Sequence, residues 1–172
     1  CSLVGSEMCI RDRHEAKQQL HSETDYIDEA RNLKRFGGLL HGSQKFIIPE
    51  VYDNWSTPNI LAMDYLEGIP IEDTTSLPQP ERNKIAQNLV DLTLSELFIF
   101  GVMQTDPNFA NYRYQLDSKK IGLLDFGATR DITTETVEQY RRLLTAGLSC
   151  DDITLMETAQ EIGFFDASAS IN

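Results

Sequence analysis

The segment Gln104-Thr105-Asp106-Pro107-Asn108-Phe109-Ala110-Asn111, with Leu123-Leu124-Asp125-Phe126-Gly127 close behind, constrains this chain more than any other stretch. It supplies an acid, an amide five positions later, and a second acid fourteen positions after the amide. Between the amide and the second acid, residues 111–115 and 120–124 read as two short strands around Asp117-Ser118. A tight hairpin returns the chain to its own start. Asp106, Asn111 and Asp125 are therefore expected together at one end of it. Singly, each is equally well explained as a cap, a turn residue or a strand running into a glycine turn. The ordered set is harder to explain that way.

Those residue types suit phosphate chemistry. Transfer of a terminal phosphoryl group asks the protein chiefly to hold divalent cations on the phosphates and to orient an acceptor. Asn111 and Asp125 are hard oxygen ligands of the kind Mg²⁺ takes, and Asp106 is placed to accept a proton from an acceptor hydroxyl or a water. Two carboxylates about 5 Å apart repel by roughly 3 kcal/mol at an effective dielectric near 20, and a bound dication reverses that cost. Pro107 fixes φ behind Asp106 and suits a rigid loop.

The composition narrows the partners. With 15 basic against 27 acidic residues the formal charge is -12, which repels a nucleic-acid backbone, and no local basic patch offsets it. The longest apolar run, Leu94 to Met103, is broken by Ser95, Glu96 and Gly101 and is far short of the roughly 20 residues that span a bilayer. Cys1, Cys9 and Cys150 have neither metal-ligand spacing nor an even disulfide framework, which favours a reducing compartment. His14, His21 and His41 likewise show no ligand spacing.

Residues 1–13 show no helical or strand period and read as a non-native, adaptor-like segment. From His14 to Leu40, Ala16, Leu20, Ile27, Ala30 and Leu33 recur with a helical period, and Gly37-Gly38 is expected to stop the helix. Lys45 to Val51 and Ile60 to Leu66 read as a β-hairpin punctuated by Asp53-Asn54 and Thr57-Pro58-Asn59. A helix is expected from Pro80 through Ile85, Leu89 and Leu92 to Gly101, buried in its second half. Two further helices are expected at Thr134 to Ala146, ended by Gly147, and at Asp152 to Ile162, ended by Gly163. Glu23 falls on the apolar stripe of the first helix, three residues after Leu20, where a carboxylate wants a cation or reaches solvent at the rim. Asp25 lies about 200° further round.

Glu23-Thr24-Asp25-Tyr26, Gln104 to Asn111, and Leu124-Asp125-Phe126-Gly127-Ala128-Thr129-Arg130 together resemble the AarF/UbiB family of atypical kinase-like proteins, from about Glu15 to Phe165. The resemblance implies an α+β, protein-kinase-like fold, present in part: a partial N-lobe over 14–66 and a C-lobe over 67–172. It implies ATP or ADP with Mg²⁺ as ligands and a role supporting ubiquinone or another isoprenoid quinone. Carried over residue by residue, Glu23 is the helix glutamate, Asp25 its Glu-x-Asp partner and Asp106 the catalytic acid. Asn111 and Asp125 take the metal, and Met63, Asp64 and Leu66 form the hinge beside an adenine ring, with Asp125 on the phosphates. The family's Lys-x-Gly-Gln segment, alanine-rich phosphate loop and strand lysine are expected before Glu23 and are not found there. The chain thus reads as an N-terminally truncated fragment with little catalysis of its own.

The expected partners are a nucleotide, a small-molecule or lipid-linked acceptor and quinone-synthesis proteins. The expected location is the cytoplasm, peripheral to the inner membrane, or the mitochondrion in a eukaryote. Only Ala128 to Thr133 separate the Asp-Phe-Gly segment from the next helix, too few for the peptide platform of ordinary protein kinases. Two alternatives stand beside this reading: a small-molecule phosphotransferase of the aminoglycoside or choline kinase class, against which Gln104-Thr105 argues, and a non-catalytic nucleotide-sensing scaffold.

Overall fold

The computed structural model describes residues 26–164, which carry four α-helices, six short strands and intervening 3-10 and π turns. The chain divides into two compact units. Among the described residues, one contains 26–93 and 104–130, the other 94–103 and 131–164.

In the first unit, helix α1 (Tyr26–Leu39) buries Ala30, Leu33 and Phe36 on one face. The expected stop at Gly37-Gly38 is not where the helix ends. Both glycines are helical, Leu40 N still donates to Phe36 O at 2.8 Å, and the left-handed turn falls at Gly42, φ 73°. A helical glycine costs about 1 kcal/mol. Complete burial of Leu33 and Phe36, about 2–3 kcal/mol for each large apolar side chain, outweighs that local preference.

A four-stranded sheet runs in the order β1-β5-β4-β2. Its strands are β1 (Phe46–Ile47), β2 (Ile69–Pro70), β4 (Tyr112–Tyr114) and β5 (Ile121–Leu123). Strands β4 and β5 form the expected antiparallel hairpin, pairing Tyr112 with Leu123 and Tyr114 with Ile121, all four buried. Lys119 turns the loop in the left-handed region, φ 59°, and Gln115 and Lys120 close it. Edge strand β2 accommodates Pro70, whose missing N–H faces no partner strand. Just before it Gly68 adopts φ 149°, and a Cβ there would lie 2.9 Å from the Tyr114 carbonyl oxygen.

The hairpin expected over residues 45–51 and 60–66 is reduced. Only the bridges Val51 to Met63 and Thr57 to Ile60 form, with Tyr52 N to Ala62 O and Asp64 N to Glu50 O bonds between them. The residues that do form a strand there, Phe46 and Ile47, pair in parallel with β5 instead. That pairing buries Phe46, which an isolated two-stranded hairpin would leave wet. Helix α2 (Gln79–Ser95) contributes buried Ile85 and Leu92, and Glu81 at its start accepts from the Tyr114 hydroxyl at 2.8 Å and from Lys119 Nζ at 2.7 Å. Burial and the Glu81 carboxylate push the Tyr114 hydroxyl up to about 12.

In the second unit, a π-helical turn (Glu96–Phe100) ends at Gly101 in the left-handed region. The expected burial of this stretch is uneven, since Leu97 is buried but Ile99 is 76% exposed. Helices α3 (Thr134–Ser149) and α4 (Asp152–Ile162) carry side-chain N-caps from Thr133 and Asp151. Gly163 ends α4 as expected, but α3 runs past Gly147 to a left-handed Cys150. A Cβ at Gly147 would meet only Leu155 Cδ1, at 3.9 Å, so this helical position does not require glycine for space. Arg142 pairs with Glu161, and Tyr140 meets Phe164 edge-on, tying the two helices together. Strands β3 (Val102–Gln104) and β6 (Thr129–Asp131), a two-stranded sheet of their own, each run across a boundary of the two units.

Candidate nucleotide and metal site

The β4–β5 ladder continues past its strands, with Leu124 N donating to Asn111 O at 3.1 Å. This one extra rung brings residues 111 and 125 to the same end of the hairpin. Before β4 the chain makes a 3-10 turn (Phe109–Asn111), capped by the Asn108 side chain accepting from Ala110 N. Asn111 Nδ2 then donates to Asp125 Oδ2 at 2.8 Å, leaving the Asn111 carbonyl oxygen and the carboxylate as adjacent hard oxygen donors. A cavity of about 490 Å³ is lined by Asp106, Asn111, Asp125, Glu29 and Met63. Acid, amide and second acid therefore share one space.

Asp125 is held from several directions. Its Oδ1 accepts from Gly127 N at 2.8 Å and its backbone oxygen accepts from Gln104 Nε2 at 2.6 Å. Buried Gln104 is itself oriented by the Tyr112 hydroxyl, which donates to Oε1 at 3.1 Å. Thr105 clamps Ala128 O through both its backbone N–H and its hydroxyl. Phe126 is completely buried, its ring 4.3 Å from that of Phe36.

Glu29 was not among the residues singled out from the sequence. It reaches the Asp125 carboxyl, and its own carboxyl is pushed up from 4.5 to about 7. Burial is the largest cause, followed by the Asp125 charge and a hydrogen bond with that carboxyl, while a hydrogen bond to the Phe126 backbone pulls the other way. The signal was present in the spacing: Glu29 lies four residues before Leu33 and seven before Phe36, on the helix face that is buried. Asn32 was also passed over, and its Nδ2 donates to Phe126 O at 3.1 Å.

Glu23 and Asp25 lie outside the described residues. Of the hinge residues, Met63 lines the cavity. Asp64 is engaged locally, accepting from Glu50 N at 3.2 Å and from the Tyr52 hydroxyl. Leu66 lies against Gly122, its Cδ1 3.1 Å from where a Cβ would be. Because Ala62 O and Asp64 N point toward Tyr52 and Glu50, strand alternation turns the N–H and C=O groups of Met63 and Tyr65 the other way.

The donor set fits a small dication. Among the described residues no cluster of three or more His, Cys, Asp or Glu side chains forms a self-sufficient metal cage. Mg²⁺ seldom uses one, binding instead through one or two carboxylates plus water and substrate phosphates. The raised Glu29 carboxyl beside Asp125 marks a place where negative charge is crowded and a cation is favoured.

A family model described as the ABC1 atypical kinase-like domain matches residues 9–159. The chain is 38% identical over 156 residues to the atypical kinase COQ8B, mitochondrial, of Danio rerio, covering 89% of this chain and 25% of that protein. It is 38% identical over 149 residues to the atypical kinase COQ8, mitochondrial, of Saccharomyces cerevisiae, covering 87% of this chain and 30% of that one. The chain thus spans between a quarter and a third of the length of these relatives. Among solved structures, the complex of Rv3197 with erythromycin from Mycobacterium tuberculosis matches with a TM-score of 0.70 at 22% identity, over 88% of this chain and 38% of that one. That likeness shows a mixed α+β, kinase-like fold, present in part.

Proposed function

Because this chain belongs to the ABC1 atypical kinase-like family, we propose that its cavity is the metal-holding half of an ATP or ADP site. In this reading Asn111 and Asp125 hold Mg²⁺ on the nucleotide phosphates. When bound, the ion supplies the positive charge that phosphoryl transfer or hydrolysis requires. The observation that carries the reading is the 2.8 Å contact between Asn111 and a fixed Asp125 carboxylate, across one cavity from Asp106.

Each residue has a distinct task. Asp106 takes the proton of the attacking hydroxyl or water, acting as a general base. Gln104 and Thr105 keep the Asp125 to Ala128 backbone from drifting, so that the Asp125 carboxylate is preorganised. Met63 C=O and Tyr65 N–H offer an acceptor and a donor to an adenine edge. Glu29 joins or replaces Glu23 as the helix carboxylate of the site, because it reaches Asp125 and is forced toward neutrality there. A cation from elsewhere in the protein, or the metal, would return it to the charged form.

Only residues 128–133 separate Gly127 from α3, and three of them form β6. A small-molecule or lipid-linked acceptor, or hydrolysis of ATP itself, fits this better than a peptide. Support of isoprenoid-quinone synthesis follows as the biological role, in the cytoplasm or the mitochondrion. No described helix is long and apolar enough to cross a membrane.

The test is a thermal shift of the purified protein with ADP or ATP, in Mg²⁺ and in chelator. The reading expects a nucleotide shift that requires Mg²⁺ and disappears in Asp125→Asn. A shift of equal size in chelator, or one that survives in Asp125→Asn, overturns it.

A further inference from the structure

We propose that Asn32 is a positioning residue that sets the Asp125 carboxylate through a single peptide plane, an inference that rests on the metal-site reading above. Glu29, Asn32 and Phe36 stand at i, i+3 and i+7 on α1 and share one face. All three meet the Asp125-Phe126 segment: Glu29 at the Asp125 carboxyl, Asn32 at the Phe126 carbonyl, Phe36 at the Phe126 ring.

The Phe126 carbonyl and the Gly127 N–H are the two ends of one peptide unit, and a peptide unit is planar. Asn32 Nδ2 donates to the carbonyl end at 3.1 Å, and the N–H end donates to Asp125 Oδ1 at 2.8 Å. Rotation of that plane therefore moves the donor that fixes Oδ1. Thr129 Oγ1 also donates to Phe126 O, at 2.7 Å, but from only three residues away on the same loop. Asn32 is the grip that comes from α1, 94 positions distant in sequence. It ties the orientation of the metal-holding carboxylate to the position of the helix that carries Glu29. The neighbouring carbonyls are fixed separately, Asp125 O by Gln104 and Ala128 O by Thr105. Asn32 thus acts on a plane that neither Gln104 nor Thr105 holds.

The test compares the wild-type chain with Asn32→Leu, which keeps the branching of the side chain and removes the donor, and with Asn32→Ala. Two quantities are read: amide hydrogen exchange at Gly127 without ligands, and the apparent affinity for Mn²⁺ in the presence of ADP. The expected result is exchange at Gly127 faster by about five- to tenfold, the factor one neutral hydrogen bond is worth, with a similar weakening of Mn²⁺ affinity. Exchange at the β4–β5 ladder amides stays unchanged, which separates positioning from loss of fold. Unchanged Gly127 exchange, a rise spread equally over the ladder, or unaltered Mn²⁺ affinity despite faster exchange would each overturn the inference. Exchange needs neither metal nor nucleotide. If the wild type failed to bind Mn²⁺ the site reading would fall, and the exchange comparison would still decide whether Asn32 controls the plane.

Discussion

Replacing Glu29 by Gln should change how the stability of the metal-free chain depends on pH. The Glu29 carboxyl titrates near 4.5 when exposed and at about 7 in the fold. A folded value above the unfolded one means that folding favours the protonated form. The contribution is fully present below about 4.5 and is lost as pH rises through about 7. At about 1.4 kcal/mol for each pH unit between the two values, the full effect would be roughly 3 kcal/mol. Glu29 is only half-buried, so solvent screening reduces this to about 1–2 kcal/mol. The assay is urea unfolding of wild type and Glu29→Gln in chelator from pH 5 to pH 9. Taking the difference between the two proteins cancels the titrating groups that do not touch Glu29. Glu29→Gln is expected to gain about 1–2 kcal/mol on the wild type across that range, because glutamine stays neutral where the half-buried Glu29 carboxyl becomes charged. With saturating Mg²⁺ and nucleotide the gain should shrink, since a dication favours the charged pair. A flat difference from pH 5 to pH 9 would refute the claim that Glu29 and Asp125 crowd each other.

Other substitutions probe the frame around the site. Gly68→Ala should destabilise the fold by about 2–4 kcal/mol in urea unfolding, through a strained φ and a Cβ 2.9 Å from the Tyr114 carbonyl oxygen; a loss under 0.5 kcal/mol would contradict the geometry. Tyr114 favours the protonated form in the fold, so its contribution is intact below pH 10 and lost toward about 12. Tyr114→Phe should accordingly blunt alkaline unfolding, followed by circular dichroism. Thr133→Ala should cost about 1 kcal/mol by removing the α3 cap, read as a lower melting temperature.

The parts of this protein that could be read from sequence are those made by near neighbours. Asp106, Asn111 and Asp125 were expected together because a tight hairpin closes over fourteen residues, and the ladder through Leu124 and Asn111 does close there. The starts of α3 and α4 were legible for the same reason, each being set by a cap contact across three residues, Thr133 with Thr136 and Asp151 with Thr154. What escaped was set by distance or by tertiary packing. The parallel pairing of Phe46 with Ile121 spans much of the chain and leaves no periodic trace in either strand. Gly37-Gly38 carries the local signature of a helix end, yet packing of Leu33 and Phe36 carries α1 through it. Glu29 and Asn32 look like ordinary polar positions until α1 is laid against Asp125 and Phe126, and that contact crosses 94 positions. A carboxylate on the buried face of a helix was the available signal, and the sequence pattern pointed to Glu23 by it but holds equally for Glu29.

The central claim is that Asn111 and Asp125 hold a divalent cation for a nucleotide. Its most direct test is titration of the chain with Mn²⁺ in the presence of ADP, followed by electron paramagnetic resonance, for wild type and Asp125→Asn. The account predicts saturable ADP-dependent Mn²⁺ binding by the wild type, weakened at least tenfold in Asp125→Asn while the melting temperature is kept. Equal Mn²⁺ binding by the two proteins, or binding indifferent to ADP, would contradict it.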